Sequence, residues 1–186
     1  MALQRFTIKG YGQLEINNCA FRRDGRIEAQ CAPDATDFAT KKLENGMILA
    51  IDNVTRTVKL DNGTTALPLA INYTAEHMYD ERANGLKDFY LNGKDDFYPR
   101  LGYLAVGDKF TTNCVCYDTT EFADDTAFKT ALAANGTTPL YGTECANGAI
   151  KVTATTTGAR VILKVIAKTT MPDGTDGVKF QVYELK

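Results

Sequence analysis

Between Met47 and Asn72 the chain reads MILAIDNVTRTVKLDNGTTALPLAIN, three runs rich in branched apolar residues separated by Asp-Asn and Asp-Asn-Gly. Runs of this length, alternating in polarity and bounded by turn formers, are strand signals, and Asn-Gly between them is a hairpin signal. The stretch therefore predicts a three-stranded meander, with turns at Asp52-Asn53 and at Asp61-Asn62-Gly63. Pro68 lies inside the third run, and a proline has no amide to give to a ladder, so an edge position or a bulge is expected there.

Much of the remaining chain repeats the theme. Leu3 to Lys9 and Gln13 to Asn17 read as strands around the bend Gly10-Tyr11-Gly12. The last third, AIKVTATTTGARVILKVIAKTT, PDGTDG and VKFQVYEL, reads as strand, turn, strand. There are 24 threonines and no tryptophan, and the branched threonine Cβ suits a pleated surface. Helices are predicted in three places. The stretch PDATDFATKKL, 33–43, is closed by Asn45-Gly46. A second helix over AEHMYDERA is capped by Thr74 and ended by Asn84-Gly85. The third covers FADDTAFKTALAA, opened by the Asp118 and Glu121 pair, with Phe122, Phe128 and Leu132 on one side and Asn135-Gly136 as the stop. No fixed-period repeat and no linker divides the chain. The expectation is a single, mainly β domain over residues 1–186, a β-barrel or sandwich-like body with two or three short inserted helices (α+β by strict count), residues 1–40 serving as an N-terminal arm or extension.

Composition narrows the function classes. Hydrophobic residues are 44% and charged residues 24% of the chain, with a net charge of −2, ordinary values for a globular protein with a core. A weakly acidic chain whose densest basic stretch is Arg22-Arg23-Asp24-Gly25-Arg26 lacks the clustered cations that a phosphate backbone demands, so no nucleic-acid partner is expected. MALQRFTIKG has no apolar core of a secretory signal, and no run approaches membrane-spanning length, so synthesis in a cytoplasm without a membrane partner is expected. Five cysteines at irregular spacing do not read as a disulfide framework, and the four N-x-Thr sequons at Asn53, Asn62, Asn72 and Asn135 read as products of an Asn- and Thr-rich composition.

Each candidate chemistry meets a structural reading. In GYLAVGDKFTTNCVCYD, residues 102–118, Gly107-Asp108 reads as a turn in which the glycine supplies positive φ and the carboxylate accepts a local amide. Leu104, Val106 and Phe110 are set on related faces. Cys114 and Cys116, two apart, face one side of a strand with Val115 opposite. A zinc or iron–sulfur site needs wider spacing and a second pair, for which the fold would have to gather Cys19, Cys31 and Cys145; small buried thiols are the expectation. His77 is the only histidine and there is no serine, which removes the common nucleophile–base arrangements. PDGTDG lacks the spaced oxygens of a calcium loop. Asp95-Asp96 and Asp124-Asp125 are consecutive and so diverge. No catalytic residue, cofactor or metal is assigned. The aromatic stretch with Phe89, Tyr90, Phe97 and Tyr98, together with Phe6 in the N-terminal arm, is assigned to a protein interface.

Three segments carry a family likeness: KLENGMILAIDNVTRTVKLDNG, YDERANGLKDFYL and FYPRLGYLAVGDKFTTN. With ARVILKVIAKTTMPDGTDGVKFQVYEL more faintly, they resemble small structural proteins of tailed bacteriophages that serve as head decoration (cement) or auxiliary capsid proteins. The likeness covers Lys42 to Asn113; the first 40 residues and Glu121 to Ala134 lie outside it. It implies a non-enzymatic virion protein made in the host cytoplasm, which binds the outside of the assembled shell through the major capsid protein and through self-association. A tail or baseplate component, and a carbohydrate-binding module that stacks sugars on the tyrosines of 89–103, stay open as alternatives. An enzyme built on His77 or on the Cys114 and Cys116 pair is the third.

Overall fold

The computed structural model describes residues 2–8, 12–15, 19, 26–61, 63, 66–74, 98–171 and 174–186. Two sheets and, among these residues, one helix form the body. In chain order the elements are β1 (Leu3–Arg5), β2 (Ile27–Glu28), β3 (Ala32–Pro33), β4 (Ile48–Asp52), β5 (Thr57–Leu60), β6 (Leu69–Asn72), β7 (Leu101–Tyr103), β8 (Lys109–Thr112), β9 (Val115–Asp118), α1 (Asp125–Ala133), β10 (Tyr141–Thr143), β11 (Ile150–Thr153), β12 (Val161–Thr170) and β13 (Asp176–Leu185). The seven-stranded sheet has the order β1-β9-β11-β10-β12-β13-β8, the six-stranded sheet β2-β7-β6-β4-β5-β3. The mainly β, sandwich-like class expected from the turn pattern is the class observed. No described helix is long and apolar enough to cross a membrane.

The Met47–Asn72 segment forms its three strands but not a meander. β4 and β5 pair antiparallel, with Asp52 opposite Thr57. Their turn spans four residues, held by the Asp52 carboxylate, which accepts the amides of Val54 and Thr55 at 3.0 and 3.1 Å. β6 then crosses over and pairs with the other side of β4. The reason is occupancy: the free edge of β5 is taken by β3, parallel to it with Ala32 opposite Thr57. β6 is thus an interior strand between β7 and β4. Pro68 sits just ahead of it, where its missing amide costs no ladder bond and its carbonyl still accepts from Ile51 at 2.9 Å.

The helix expected over 33–43 is absent. The Asp34 side chain accepts the amides of Thr36 and Asp37 at 2.9 and 3.1 Å, and its carbonyl accepts Phe38 at 3.0 Å. This closes one turn that does not propagate, because short polar side chains that bond the local backbone compete with helix. Phe38 and Leu43 are nevertheless fully buried. The helix expected over 75–83 lies outside the described residues, of which its expected cap Thr74 is one. The third forms as α1, but its cap is Asp124, whose carboxylate accepts Ala127 N at 2.8 Å. Asp118 holds an earlier turn by accepting the amide and hydroxyl of Thr120, and Glu121 accepts the Thr153 hydroxyl at 2.6 Å. Asn135 ends the helix by donating to Val165 O and accepting Leu140 N, at 2.9 and 2.7 Å.

Two apolar cores result. The larger packs the inner face of the seven-stranded sheet against α1, with Phe6, Tyr117, Phe128, Leu163 and Phe180 fully enclosed. Here Tyr117 stacks on Phe128 with ring centroids 4.6 Å apart, and Phe6 meets Phe128 edge-on at 5.6 Å. The second packs Leu49, Ile51, Val58, Ala70 and Leu101 of the six-stranded sheet with Phe38, Leu43, Met47, Cys114, Cys116 and Cys145. β9 belongs to both. Val115 and Tyr117 enter the first core and Cys116, with Cys114 just before it, the second, which is the period-two division expected from the sequence.

One glycine sets the packing of the larger core. Gly142 on β10 lies opposite Leu163, and a Cβ there would stand 2.7 Å from Ile150 Cγ2 and 2.8 Å from Phe180 Cε1. Both neighbours are themselves fully buried, so neither yields without disturbing the sheet. Gly142→Ala is expected to destabilise the fold by ~1–3 kcal/mol through overpacking, measured as a lower urea midpoint with an unchanged slope. A variant as stable as the native chain would show that the Phe180 ring has room to move.

Candidate functional site

The residues singled out for chemistry are, where described, engaged in holding the fold. Gly107 adopts φ +96 in a turn closed by Asp108 N to Ala105 O at 3.0 Å, and the Asp108 carboxylate accepts Ala105 N at 2.8 Å. The turn does as expected, but it rotates Val106 out of line with Leu104 and Phe110. Val106 is 64% exposed, while the other two are buried. Thr112 and Asn113 clamp the N-terminal segment: the Thr112 hydroxyl donates to Gln13 O and the Asn113 side-chain Oδ1 accepts Gln13 N, both at 2.5 Å. None of the five cysteines is in a disulfide; Cys31, Cys114, Cys116 and Cys145 are buried and Cys19 is half-buried. Among the described residues no group of His, Cys, Asp and Glu is placed to hold a metal ion. Around PDGTDG, Met171 N donates to Thr175 O at 2.8 Å and Gly174 N to Met171 O at 2.9 Å, a hairpin turn between β12 and β13.

Asp124 and Asp125 diverge as expected. Asp124 caps α1. Asp125 instead accepts the Tyr117 hydroxyl at 2.7 Å and the Thr7 amide at 3.1 Å. Burial works against its ionisation, yet those two donors and the Lys129 charge hold its carboxyl below the usual range. Asp176 is also lowered, by its bonds to Lys168 and Lys129, and Asp118 by the Thr120 amide and hydroxyl.

Of the residues assigned to an interface, Phe6 is placed otherwise. It is 1% exposed, its amide donates to Val115 O at 2.9 Å, and its ring packs on Phe128 beneath the Lys129 ammonium. The N-terminal strand β1 pairs with β9, Leu3 to Asp118 and Arg5 to Cys116; this part of the N-terminal region is built into the larger sheet and is not a free arm. Pairing with an otherwise open edge outweighs remaining extended in water. Phe89, Tyr90 and Phe97, like His77 and Asp95-Asp96, lie outside the described residues. Tyr98 stands half-exposed just ahead of β7.

The exposed apolar side chains concentrate elsewhere. β12 and β13 pair over their full length. Leu163, Val165, Phe180 and Val182 are buried, while Ile166 and Tyr183, each at a register shift between the two strands, are 39% and 60% exposed, and Leu185, opposite the buried Val161, is 39% exposed. The turn bearing Val106 is fastened to this hairpin by Gly107 N to Val182 O and Val182 N to Asp108 O, both 2.8 Å. Across the outer face runs a register row of Tyr141, Lys164, Gln181 and Lys109, from β10, β12, β13 and β8 in turn. Beside it a hollow of about 470 Å³ is lined by Lys109, Lys164, Gln181, Ile166 and Pro139. An outward face that mixes large apolar groups with lysines is suited to a protein surface that is apolar with acidic residues around it. VKFQVYEL alternates through Val182, with Val178, Phe180 and Val182 buried, and a register shift between β12 and β13 breaks the alternation before Leu185. VILKVIAK does not, because Val165 and Ile166 are adjacent apolar residues.

Comparison with known proteins finds no matching family model, no matching curated protein and no matching solved structure.

The lowered carboxylates give a pH expectation. A group with a depressed folded pKa contributes stability that is present above its unfolded pKa and is lost as pH falls through the folded value. Asp118, Asp125 and Asp176 therefore predict stability that is level near neutrality and declines below about pH 4. Asp125→Asn is expected to cost ~1.5–3 kcal/mol at pH 7 and to flatten that acid limb, measured by urea melts across pH. An acid limb identical in the variant would remove Asp125 from this account.

Proposed function

We propose that this chain is a non-enzymatic structural protein of a tailed-bacteriophage virion, one that binds the outside of the assembled capsid shell where capsid subunits adjoin and stabilises it. The observation that carries the reading is the set of exposed apolar side chains on the β12–β13 hairpin, Ile166, Tyr183 and Leu185, with Val106 on the turn fastened to it. Complete burial of an exposed aliphatic side chain contributes ~1.5–3 kcal/mol, and a partner surface recovers the part of this that corresponds to the area each of these residues still exposes. The family likeness of residues 42–113 supplies the setting, and the major capsid protein is the partner. Tyr98 and the neighbouring aromatics Phe89, Tyr90 and Phe97 form a second contact in the same reading.

Mechanistically the protein acts by shape and mass action. An interface of about 1,600 Å² is standard for a specific complex, and its strength depends on a few apolar anchors held rigidly. β13 is paired along its length with β12 and is bonded at Val182 to the Val106 turn, so Tyr183 beside it loses little freedom on docking. A ligand that binds the assembled shell and not its dissociated subunits shifts the equilibrium towards the shell.

The test is to mix the purified protein with capsids that lack it. Co-sedimentation at micromolar protein and greater resistance of the capsids to heat are expected. Tyr183→Ala is expected to weaken binding by roughly ten-fold or more, as for a central aromatic anchor, while a Val54→Ala control at the distant β4–β5 turn is expected to be neutral. Absence of co-sedimentation at micromolar concentration ends this reading, and rings or tubes formed by the protein alone would move it to the tail.

A further inference from the structure

Two hollows of unlike charge are lined by the connection from α1 to β10, and Leu140 belongs to both. The first, about 470 Å³, holds Lys109, Lys164, Gln181 and Ile166. Register sets Lys164, Gln181 and Lys109 side by side on the adjacent strands β12, β13 and β8. The two lysines therefore stand roughly 9–10 Å apart at the backbone, with the Gln181 amide between them. Among the described residues neither has a carboxylate partner, whereas Lys59, Lys129, Lys168 and Lys186 each have one. Glu184, opposite Ile162 further along the hairpin, is itself paired with Lys186 at 3.7 Å.

The second hollow, about 340 Å³, is lined by Phe122, Ala131, Ala134 and Ala154 together with the carboxylate of Glu121. One oxygen of that exposed carboxylate accepts the Thr153 hydroxyl at 2.6 Å. Asp124, also exposed, uses one oxygen to cap α1. Among the described residues neither acid has a cationic partner, and the lysine of α1, Lys129, is drawn away to Asp176 at 2.9 Å.

We propose that this chain pairs with a second copy of itself about a two-fold axis at the α1–β10 connection, Lys109 and Lys164 of each copy meeting Glu121 and Asp124 of the other. The pairing is a property of the protein alone and does not rest on the capsid reading.

Three observations select a second copy as the occupant. The first is charge. Ammonium groups without carboxylates line one hollow and carboxylates without cations the other, and opposed patches of this kind steer and orient association. The second is apolar content. Ile166, 39% exposed, projects at the lysine hollow, and Phe122, Ala131 and Ala154 give it an apolar surface to cover, so the charges pair around a contact that excludes water. The third is adjacency. Complementary patches on one connection are set against each other twice by a single two-fold rotation, since in such an interface residue i meets j and j meets i. That doubling brings two small patches towards the ~1,000 Å² that a specific interface needs. A two-fold contact also closes on itself, so association stops at the dimer. Tyr183, Leu185 and Val106 take no part in it.

The test is sedimentation of the purified full chain, without capsids, from about 1 to about 200 µM. A dimer with a Kd of roughly 1–100 µM is expected, and raising the salt from about 50 to about 500 mM should weaken it at least about five-fold. Lys164→Glu alone and Ala154→Lys alone should each weaken it at least about ten-fold. An equimolar mixture of the two variants sets the new glutamate against the new lysine and should restore pairing to within about three-fold of the native chain. Both positions are exposed, an unchanged urea midpoint checks folding, and Lys109→Glu serves in place of Lys164→Glu. A chain still monomeric at the highest concentration, a dimer indifferent to both substitutions, a mixture that stays monomeric, or rings and tubes in place of a dimer would each overturn the proposal. The two readings fail separately, because Tyr183→Ala is expected to lose capsids and to keep the dimer.

Discussion

Everything in this structure is arranged around β9, a four-residue strand whose every side chain is buried. Because successive side chains on a strand face opposite ways, it can be enclosed on both sides only if each face meets an apolar partner. One face sends Val115 and Tyr117 into the α1 core, and the other, continued by Cys114, presents Cys116 to the core of the six-stranded sheet. The second face must be thin. A Cβ on Gly46 would stand 2.9 Å from Cys114 Cβ, and one on Gly12 would stand 3.0 Å from it. A cysteine is small and apolar enough to fit such a space, which gives these thiols a packing role.

The polar groups near this wall tie distant segments to it. Asp125 joins the start of α1 to the Tyr117 hydroxyl and to the Thr7 amide, so a single carboxylate connects helix, β9 and N-terminal segment. Arg160 does the same between sheets. Its guanidinium meets the enclosed Asp61 carboxylate at 2.7 Å and Leu67 O at 2.8 Å, on the connection from β5 to β6. Its own amide and that of Val161 donate to Glu144. Buried charges of this kind contribute little net stability, but breaking one leaves the other uncompensated, so they favour one arrangement of the two sheets over others. The surface left outside these ties, the outer face of β12 and β13, is where large apolar groups remain in water.

Legibility in the chain followed the range of the forces involved. The turns at Asp52 and Gly107-Asp108, the two-faced Cys114–Cys116 stretch and the apolar side of α1 could be read directly, since each depends on neighbours within a few residues. The helix over 33–43 was misread for a local reason that is itself legible afterwards: Asp34 bonds the backbone it would have to leave free. Phe6 was misread for a non-local one. An aromatic near a chain end looks available until β1 is seen to pair with β9, more than a hundred residues on.

Residue order, then, carries the β character of this protein, the places where it bends, and the inward and outward sides of strands such as β13, because backbone sterics and period-two burial act over short spans. Two further matters were settled when the chain closed on itself: that β6 pairs with β4 because β3 already occupies the edge of β5, and that Phe6 is core. Each depends on which edge or cavity was already filled by a segment far away in the chain, and competition for a shared space is not written in any local stretch of residues.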